Sequence, residues 1–259
     1  MRLTYEYHTS VTFRPSIGRH TILLRCLPAT DPFQQIRHEE VLLDEGFWKK
    51  EGYDGLGNRI ITAGTGERHR ELRYTARGEV ECSTYCIPDD KPHPMYRQAS
   101  RLTTLTLPVP LPQNWKESAG SGKNALDVCL EIMHFVHRHI EYTPHVTTLN
   151  TTAEEAFLLR KGVCQDYAHL MVSLCREQGF PARYVCGLML GEGSTHAWVE
   201  VHDGQCWYAF DPTNDTAVAT GYIKMAHGRD ALDCPVSRGT FVGITKQETE
   251  VKVIVKQKI

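Results

Sequence analysis

The chain has 259 residues, with 29 lysines and arginines against 31 aspartates and glutamates and a formal net charge of -2. That balance excludes a global field directed at nucleic acid or anionic lipid, and no stretch has the apolar length of a membrane span or signal peptide. A content of 41% hydrophobic and 23% charged residues is that of a soluble globular protein, and the length suffices for one large domain or two small ones.

The first segments, "LTYEYHTSV", "HTILLRCLP", "IRHEEVLL", "NRIITA" and "ELRYTARGEVECSTYC", alternate like short strands, and "GYDGLGNRI" carries hairpin residues. Residues 1–107 are therefore expected to form an antiparallel β-sandwich. "LPVPLPQNW" and "KESAGSGKN" follow, stiff and then polar, and mark 108–123 as a linker. From 124 to 259 the period changes. "NALDVCLEIMHFVHRHIEY" has a helical apolar stripe, and Thr152 with Glu155 signals a capping box ahead of "AEEAFLLRK". A third helix begins near Cys164 and stops at Gly179 and Pro181. Strands "ARYVCGLML", "THAWVEVH", "QCWYAFD" and "ETEVKVIVKQ" complete an α+β half.

Nine cysteines without a regular framework suggest a reducing compartment, so a cytoplasmic location is expected. Cys164 stands apart because a helix N-terminus supplies unpaired N–H groups and the positive end of a dipole. These can lower a thiol pKa and stabilise an oxyanion. The bland reading is a small core hydrophobe, the fate expected of Cys175 three turns deeper on the same side.

A partner comes from "THAWVEVHDGQCWYAFDPTN". With Asp203-Gly204 as a two-residue loop, Glu200 faces Trp207, Trp198 faces Ala209, and His196 faces Asp211. Opposed side chains lie about 4.5–5.5 Å apart at Cβ, within imidazole–carboxylate reach. Ala197, Val199, Val201, Cys206, Tyr208 and Phe210 form the other, apolar face. A solvent-facing cross-strand pair is the plain alternative. Together with the cysteine, however, the pair describes a Cys164–His196–Asp211 constellation for acyl transfer through a thioester.

"GVCQDYAHLMVSLCREQGFPARYV", "THAWVEV" and "WYAFDPTND" resemble the three catalytic blocks of the transglutaminase-like superfamily, in its Cys, His, Asp order. "YDGLGNRI" and "YIKMAHGRDALDCPVSRGTFVG" are similar to segments of its bacterial branch. The resemblance implies a papain-like core in 124–259 with Cys164, His196 and Asp211 as the triad, behind a β-rich N-terminal domain. Features behind the calcium dependence of the animal enzymes have no match here, so no metal or cofactor is expected. Those enzymes take an oxyanion donor from a tryptophan upstream of the cysteine, and none lies between Trp115 and Cys164. Tyr142 is the candidate in its place, against a structural reading of that residue.

Other signals are discounted. His134 lies in a polar helical row and is read as a solvated face, Asp166 as a structural first-turn carboxylate, and "GEGST" as a mobile rim loop. Cys82 and Cys86 sit on one strand face about 13 Å apart, too far to share a bond. The expected function is a cysteine enzyme acting on peptide or protein amides, hydrolytic rather than cross-linking because nothing marks an amine site. A transamidase, an amidase for a small metabolite and a non-catalytic module binding a partner through its β-domain are the alternatives. A narrow closed pocket would favour the metabolite. Neither a nucleic-acid nor a membrane partner is expected.

Overall fold

The computed structural model describes residues 1–88, 90–109 and 125–258. Its front is built from β1 (Arg2–Leu24), β2 (Gln34–Leu43), β3 (Trp48–Tyr53), β4 (Arg59–Thr65), β5 (His69–Cys82) and β6 (Ile87–Pro88). Leu3, Tyr5, Tyr7, Thr9, Val11 and Phe13 alternate inward along β1. The sequence suggests two strands parted near Pro15, yet β1 runs through as one of 23 residues. Proline has no N–H to give the ladder, and the pairing to β5 is irregular between Thr12 and Ile17. Beyond that point β1 pairs with β4 instead, so one strand serves two antiparallel layers.

The rest comprises α1 (Ala125–His139), β7 (Glu141–Tyr142), α2 (Ala153–Leu159), β8 (Lys161–Gly162), α3 (Cys164–Glu177), β9 (Ala182–Met189), β10 (Gly191–Gly193), β11 (His196–His202), β12 (Cys206–Asp211), β13 (Thr216–Ala217), β14 (Tyr222–Gly228), β15 (Ser237–Val242) and β16 (Lys246–Gln257). Helices precede a sheet ordered β13-β12-β11-β9-β14, with β6 added on β12. This is the α+β class the patterning implies. The expected linker at 108–123 lies, from residue 110 onward, outside the described residues.

Two expectations for the C-terminal half need correction. β16 was assigned to the 124–259 core, but it pairs antiparallel with β1 from Leu3 opposite Gln257 to Arg14 opposite Lys246. Val253 and Val255 on its inward row are buried in the core that Tyr5, Tyr7 and Val11 share. An alternating strand needs an apolar row to face, and β1 presents one. β15 likewise pairs with the second half of β1. The supposed rim loop "GEGST" begins as β10, whose Gly191–Gly193 backbone is paired to β16.

α3 is buried throughout Asp166–Arg176. It stops as the sequence implies: Gly179 takes φ +84°, a left-handed value glycine tolerates, and Phe180 N–H donates to Cys175 O at 3.0 Å. Buried Arg176 donates to the carbonyls of Tyr96, Ala182 and Arg229 and to Thr103 Oγ1, tying the helix end to four segments. The capping box on α2 forms as expected, with Glu155 N donating to Thr152 Oγ1 and Thr152 N to Glu155 Oε2.

The two halves meet at β14, where side-chain amides act as a strand. Lys224 N donates to Gln34 Oε1 at 3.0 Å while Gln34 Nε2 donates to Lys224 O at 2.9 Å. Asn58 makes the same reciprocal pair with His227, at 2.8 and 2.9 Å. Deleting residues 246–257 should strip β1 of one neighbour along its first half. Amides of residues 3–14 should then lose exchange protection while those of α3 keep theirs. Unchanged protection in β1 would show that the front sheet does not depend on β16.

Candidate active site

Cys164 is the first residue of α3, so its N–H has no acceptor within the helix. The turn into the helix is fixed by Asp166, whose Oδ2 accepts from Val163 N and Thr147 Oγ1, each at 2.7 Å. Burial raises the Asp166 pKa and those two bonds oppose it. A Cβ on Gly162 would lie 2.6 Å from Asp166 Oδ2, so the glycine is needed to seat this carboxylate. Asp166 thus has the structural place expected of it. Cys175 is buried at 0% exposure, whereas Cys164 is only partly covered.

β11 and β12 bring His196 and Asp211 together, but not in the expected register. Val199 pairs with Phe210, Glu200 with Ala209 and His202 with Trp207, two residues along from the reading above. The Asp203 side chain causes the slip. Its Oδ1 accepts from Gln205 N and Cys206 N at 2.8 and 2.9 Å, so Asp203 opens the turn rather than occupying its centre. A shift of two preserves the faces, because the strand period is two. His196 and Asp211 become diagonal neighbours, and His196 Nε2 to Asp211 Oδ2 is 2.7 Å. The pair is not a solvent-facing one, since Asp211 is 0% exposed.

Asp211 accepts four further hydrogen bonds. Tyr222 OH at 2.8 Å and Asn214 Nδ2 at 2.7 Å donate to Oδ2, and Thr213 N and Asn214 N donate to Oδ1. Burial alone would raise its pKa; the His196 bond and charge, with Asn214 and Tyr222, hold it below the ordinary value. With Nε2 committed to Asp211, Nδ1 of His196 is left for the Cys164 sulfur, whose charge adds to that of Asp211 in favouring the protonated ring. Burial pulls the imidazole pKa down, but Asp211 and Cys164 outweigh it and raise it to about 9.

Other parts of this site were missed from the sequence. Tyr222 and Asn214 gave no pattern, although Asn214 three residues after Asp211 has the spacing of a local side-chain turn. His134 is half-exposed, as a polar helical row implies, but its Nδ1 also meets Asp215 Oδ1 at 2.5 Å, and His137 Nδ1 lies 3.2 Å from Pro212 O. Both come from α1 and pin the loop that follows Asp211. Trp198 stacks near His196, with ring centroids 6.3 Å apart, over Gly187, where a Cβ would come 2.4 Å from the indole. Its Nε1 donates to Tyr85 OH at 3.3 Å, and Tyr85 OH donates to Glu200 Oε1 at 2.5 Å. Glu200 is fully buried. Burial disfavours its charge, but Arg183 and Lys224 hold the pKa well below the carboxylate range.

Tyr142 sits on β7, paired in parallel with Gly162 of β8, beside the start of α3. It is 55% exposed, and its pKa is raised by partial burial and then by the charge of Cys164. Cys86 does not share a strand face with Cys82: β5 ends at Cys82, and Cys86 lies after a turn, against Cys206.

His196 should titrate near pH 9 by NMR and fall toward 6.5 in Asp211→Asn. Because its folded pKa is raised, its stabilising contribution is complete below 6.5 and disappears as pH rises through about 9. The Asp211 contribution, from a lowered pKa, is present above 3.8 and lost on acidification. The melting-temperature gap between wild type and Asp211→Asn should therefore shrink from pH 6.5 to 9. A wild-type midpoint near 6.5 would contradict this geometry. Gly187→Ala should displace Trp198, lowering both the melting temperature and the His196 midpoint.

Residues 113–212 match the transglutaminase-like superfamily, and residues 2–81 match the bacterial transglutaminase-like N-terminal region. An uncharacterized protein of Mycobacterium tuberculosis H37Rv is 30% identical over 219 residues, covering 72% of this chain and 70% of that protein. An uncharacterized protein of Mycobacterium leprae is 34% identical over 127 residues, 45% of this chain and 44% of its own length. The chain thus matches less than half of the latter relative. A protein-glutamine gamma-glutamyltransferase of Pseudomonas aeruginosa is 32% identical over 101 residues, 33% of this chain and 15% of that protein. The fold is shared with a candidate cysteine protease from Cytophaga hutchinsonii, at TM-score 0.78 and 22% identity over 100% of this chain and 92% of the other. The chain belongs to the transglutaminase-like superfamily, a family of cysteine-based enzymes, and carries the bacterial N-terminal region in front of its core.

Proposed function

We propose that the protein hydrolyses peptide or protein amides through a Cys164 thioester, with His196 and Asp211 completing a triad. The observation that carries this is the His196 imidazole, bonded on Nε2 to buried Asp211 and leaving Nδ1 for a sulfur at a helix N-terminus. In the proposed cycle Cys164 Sγ adds to the carbonyl carbon, and the oxygen takes the negative charge beside the Cys164 N–H and the Tyr142 hydroxyl. The C–N bond then breaks as His196 gives its proton to the departing nitrogen. Water, deprotonated by the same ring, adds to the thioester and releases the acid and Cys164. Asp211 keeps Nε2–H in place, so that only Nδ1 exchanges a proton. An amine in place of water would give transamidation, the activity named in the Pseudomonas relative.

Iodoacetamide at moderately acidic pH should label Cys164 ahead of the other eight cysteines, and His196→Ala should slow that labelling. Cys164→Ala should abolish amide turnover, whereas Cys175→Ala should lower stability alone. Tyr142→Phe should cost about a hundredfold in kcat and leave alkylation nearly unchanged, because alkylation forms no oxyanion. Activity surviving in Cys164→Ala, or uniform labelling of all cysteines, would overturn the reading. Product analysis in water with and without a primary amine separates hydrolysis from transfer.

A further inference from the structure

A cavity of about 490 Å³ opens next to the nucleophile. Gln165 follows Cys164 at its edge, Thr195 precedes His196, and Tyr184 and Cys186 in its wall both feel the charge of the Cys164 sulfur. The opposite wall comes from the front sheets: Tyr7 on β1, Val251 on β16, and Ser237 and Arg238 on β15. The cavity therefore exists only because strands from both ends of the chain close over the core. Its size is in the range of sites that enclose a small ligand or a few residues of a peptide.

Its lining is mostly apolar, and Arg238 is the one charged side chain in it. Two nearby charges are already neutralised, Arg25 by Asp54 at 2.9 Å and Asp233 by Arg229 at 2.8 Å. Arg238 has no carboxylate partner among the described residues, and it is exposed at the cavity rim. An apolar chamber with one uncompensated guanidinium at its mouth is complementary to an apolar group that ends in an anion. The planar guanidinium fork suits a carboxylate, which it can hold through two parallel N–H···O bonds.

We propose that this cavity binds the part of the substrate next to the scissile amide, a short apolar peptide segment bearing a carboxylate that Arg238 holds. The assignment rests on Cys164 being the nucleophile, and it gives the front sheets a part in substrate selection. The carboxylate has two sources, a free peptide C-terminus or an acidic side chain, and the chemistry at Arg238 is the same for both.

The test is protection of Cys164 from iodoacetamide by three N-acetyl peptides: a leucine dipeptide acid, its amide, and a leucine–glutamate dipeptide amide. At least one carboxylate peptide should protect at about tenfold lower concentration than the neutral amide. Protection by the free acid alone assigns a chain terminus, and by the glutamate peptide alone an acidic side chain. Arg238→Ala should remove the preference, and Arg238→Lys, which keeps the charge without the fork, should retain only part of it. Equal protection by all three peptides, or a preference that survives in Arg238→Ala, would overturn the proposal. Turnover is read separately on the corresponding amide substrates. Carboxylate preference without cleavage would remove the hydrolytic function and keep the binding assignment; cleavage without preference would do the reverse.

Discussion

A fully buried carboxylate is tolerated only if its oxygens are satisfied, and Asp211 meets that demand with donors from several parts of the chain. His196 reaches it from β11, Tyr222 from β14, and Thr213 and Asn214 from the loop beyond β12. These elements have no freedom to slide without stranding the charge. The histidines of α1 extend the same constraint to the loop through Asp215 and Pro212. The imidazole orientation at Cys164 is thus set by a requirement of folding before any substrate is present. Breaking a buried charge of this kind costs about 3–5 kcal/mol.

A second buried carboxylate organises the face behind the site. Glu200 is held by Arg183, Lys224 and Tyr85, and Arg183 also lies 4.0 Å over the Trp207 ring. Asp31 and Asp90, from the front of the chain, complete the ion pairs of Lys224 and Arg183. The face that a lone hairpin would turn to water is thereby covered by Phe33, Tyr85, Ile87 and Tyr96. Trp198 joins this cluster to His196, so the N-terminal segments buttress the ring from behind.

The elements of the candidate site were legible because their signals are local. A cysteine after Gly-Val at a helix start and a His/Asp pair around a tight turn need only sequence spacing to be noticed. The faces of β11 and β12 were read correctly even though the register was not. Face depends on the parity of a residue number, whereas register depends on which atom the Asp203 carboxylate binds. What could not be read was long-range. Nothing in "ETEVKVIVKQ" says that its partner is β1 rather than its neighbours in sequence, and nothing in Gln34 or Asn58 announces that its amide will stand in for a strand beside β14. Tyr222 was missed because it comes from another strand, β14, to a carboxylate whose burial could not be foreseen, whereas Asn214, three residues from Asp211, had a local spacing that went unused.

The pairing of β1 with β16 also has a temporal side. A polypeptide emerges from the ribosome in order, so β1 is made long before the strand that completes its ladder. Until residues 246–257 appear, the β16-facing edge of β1 carries unpaired N–H and C=O groups along a stretch that holds Leu3, Tyr5, Tyr7, Val11 and Phe13. β5 can pair the opposite edge early, but closure of the sheet waits for the last contact. Contacts this distant in sequence are slow to form, because loop closure must precede any gain from pairing. The nascent protein therefore passes through an interval in which its own front sheet is open on one side, the state in which a chaperone, or a misplaced strand from another chain, competes for that edge.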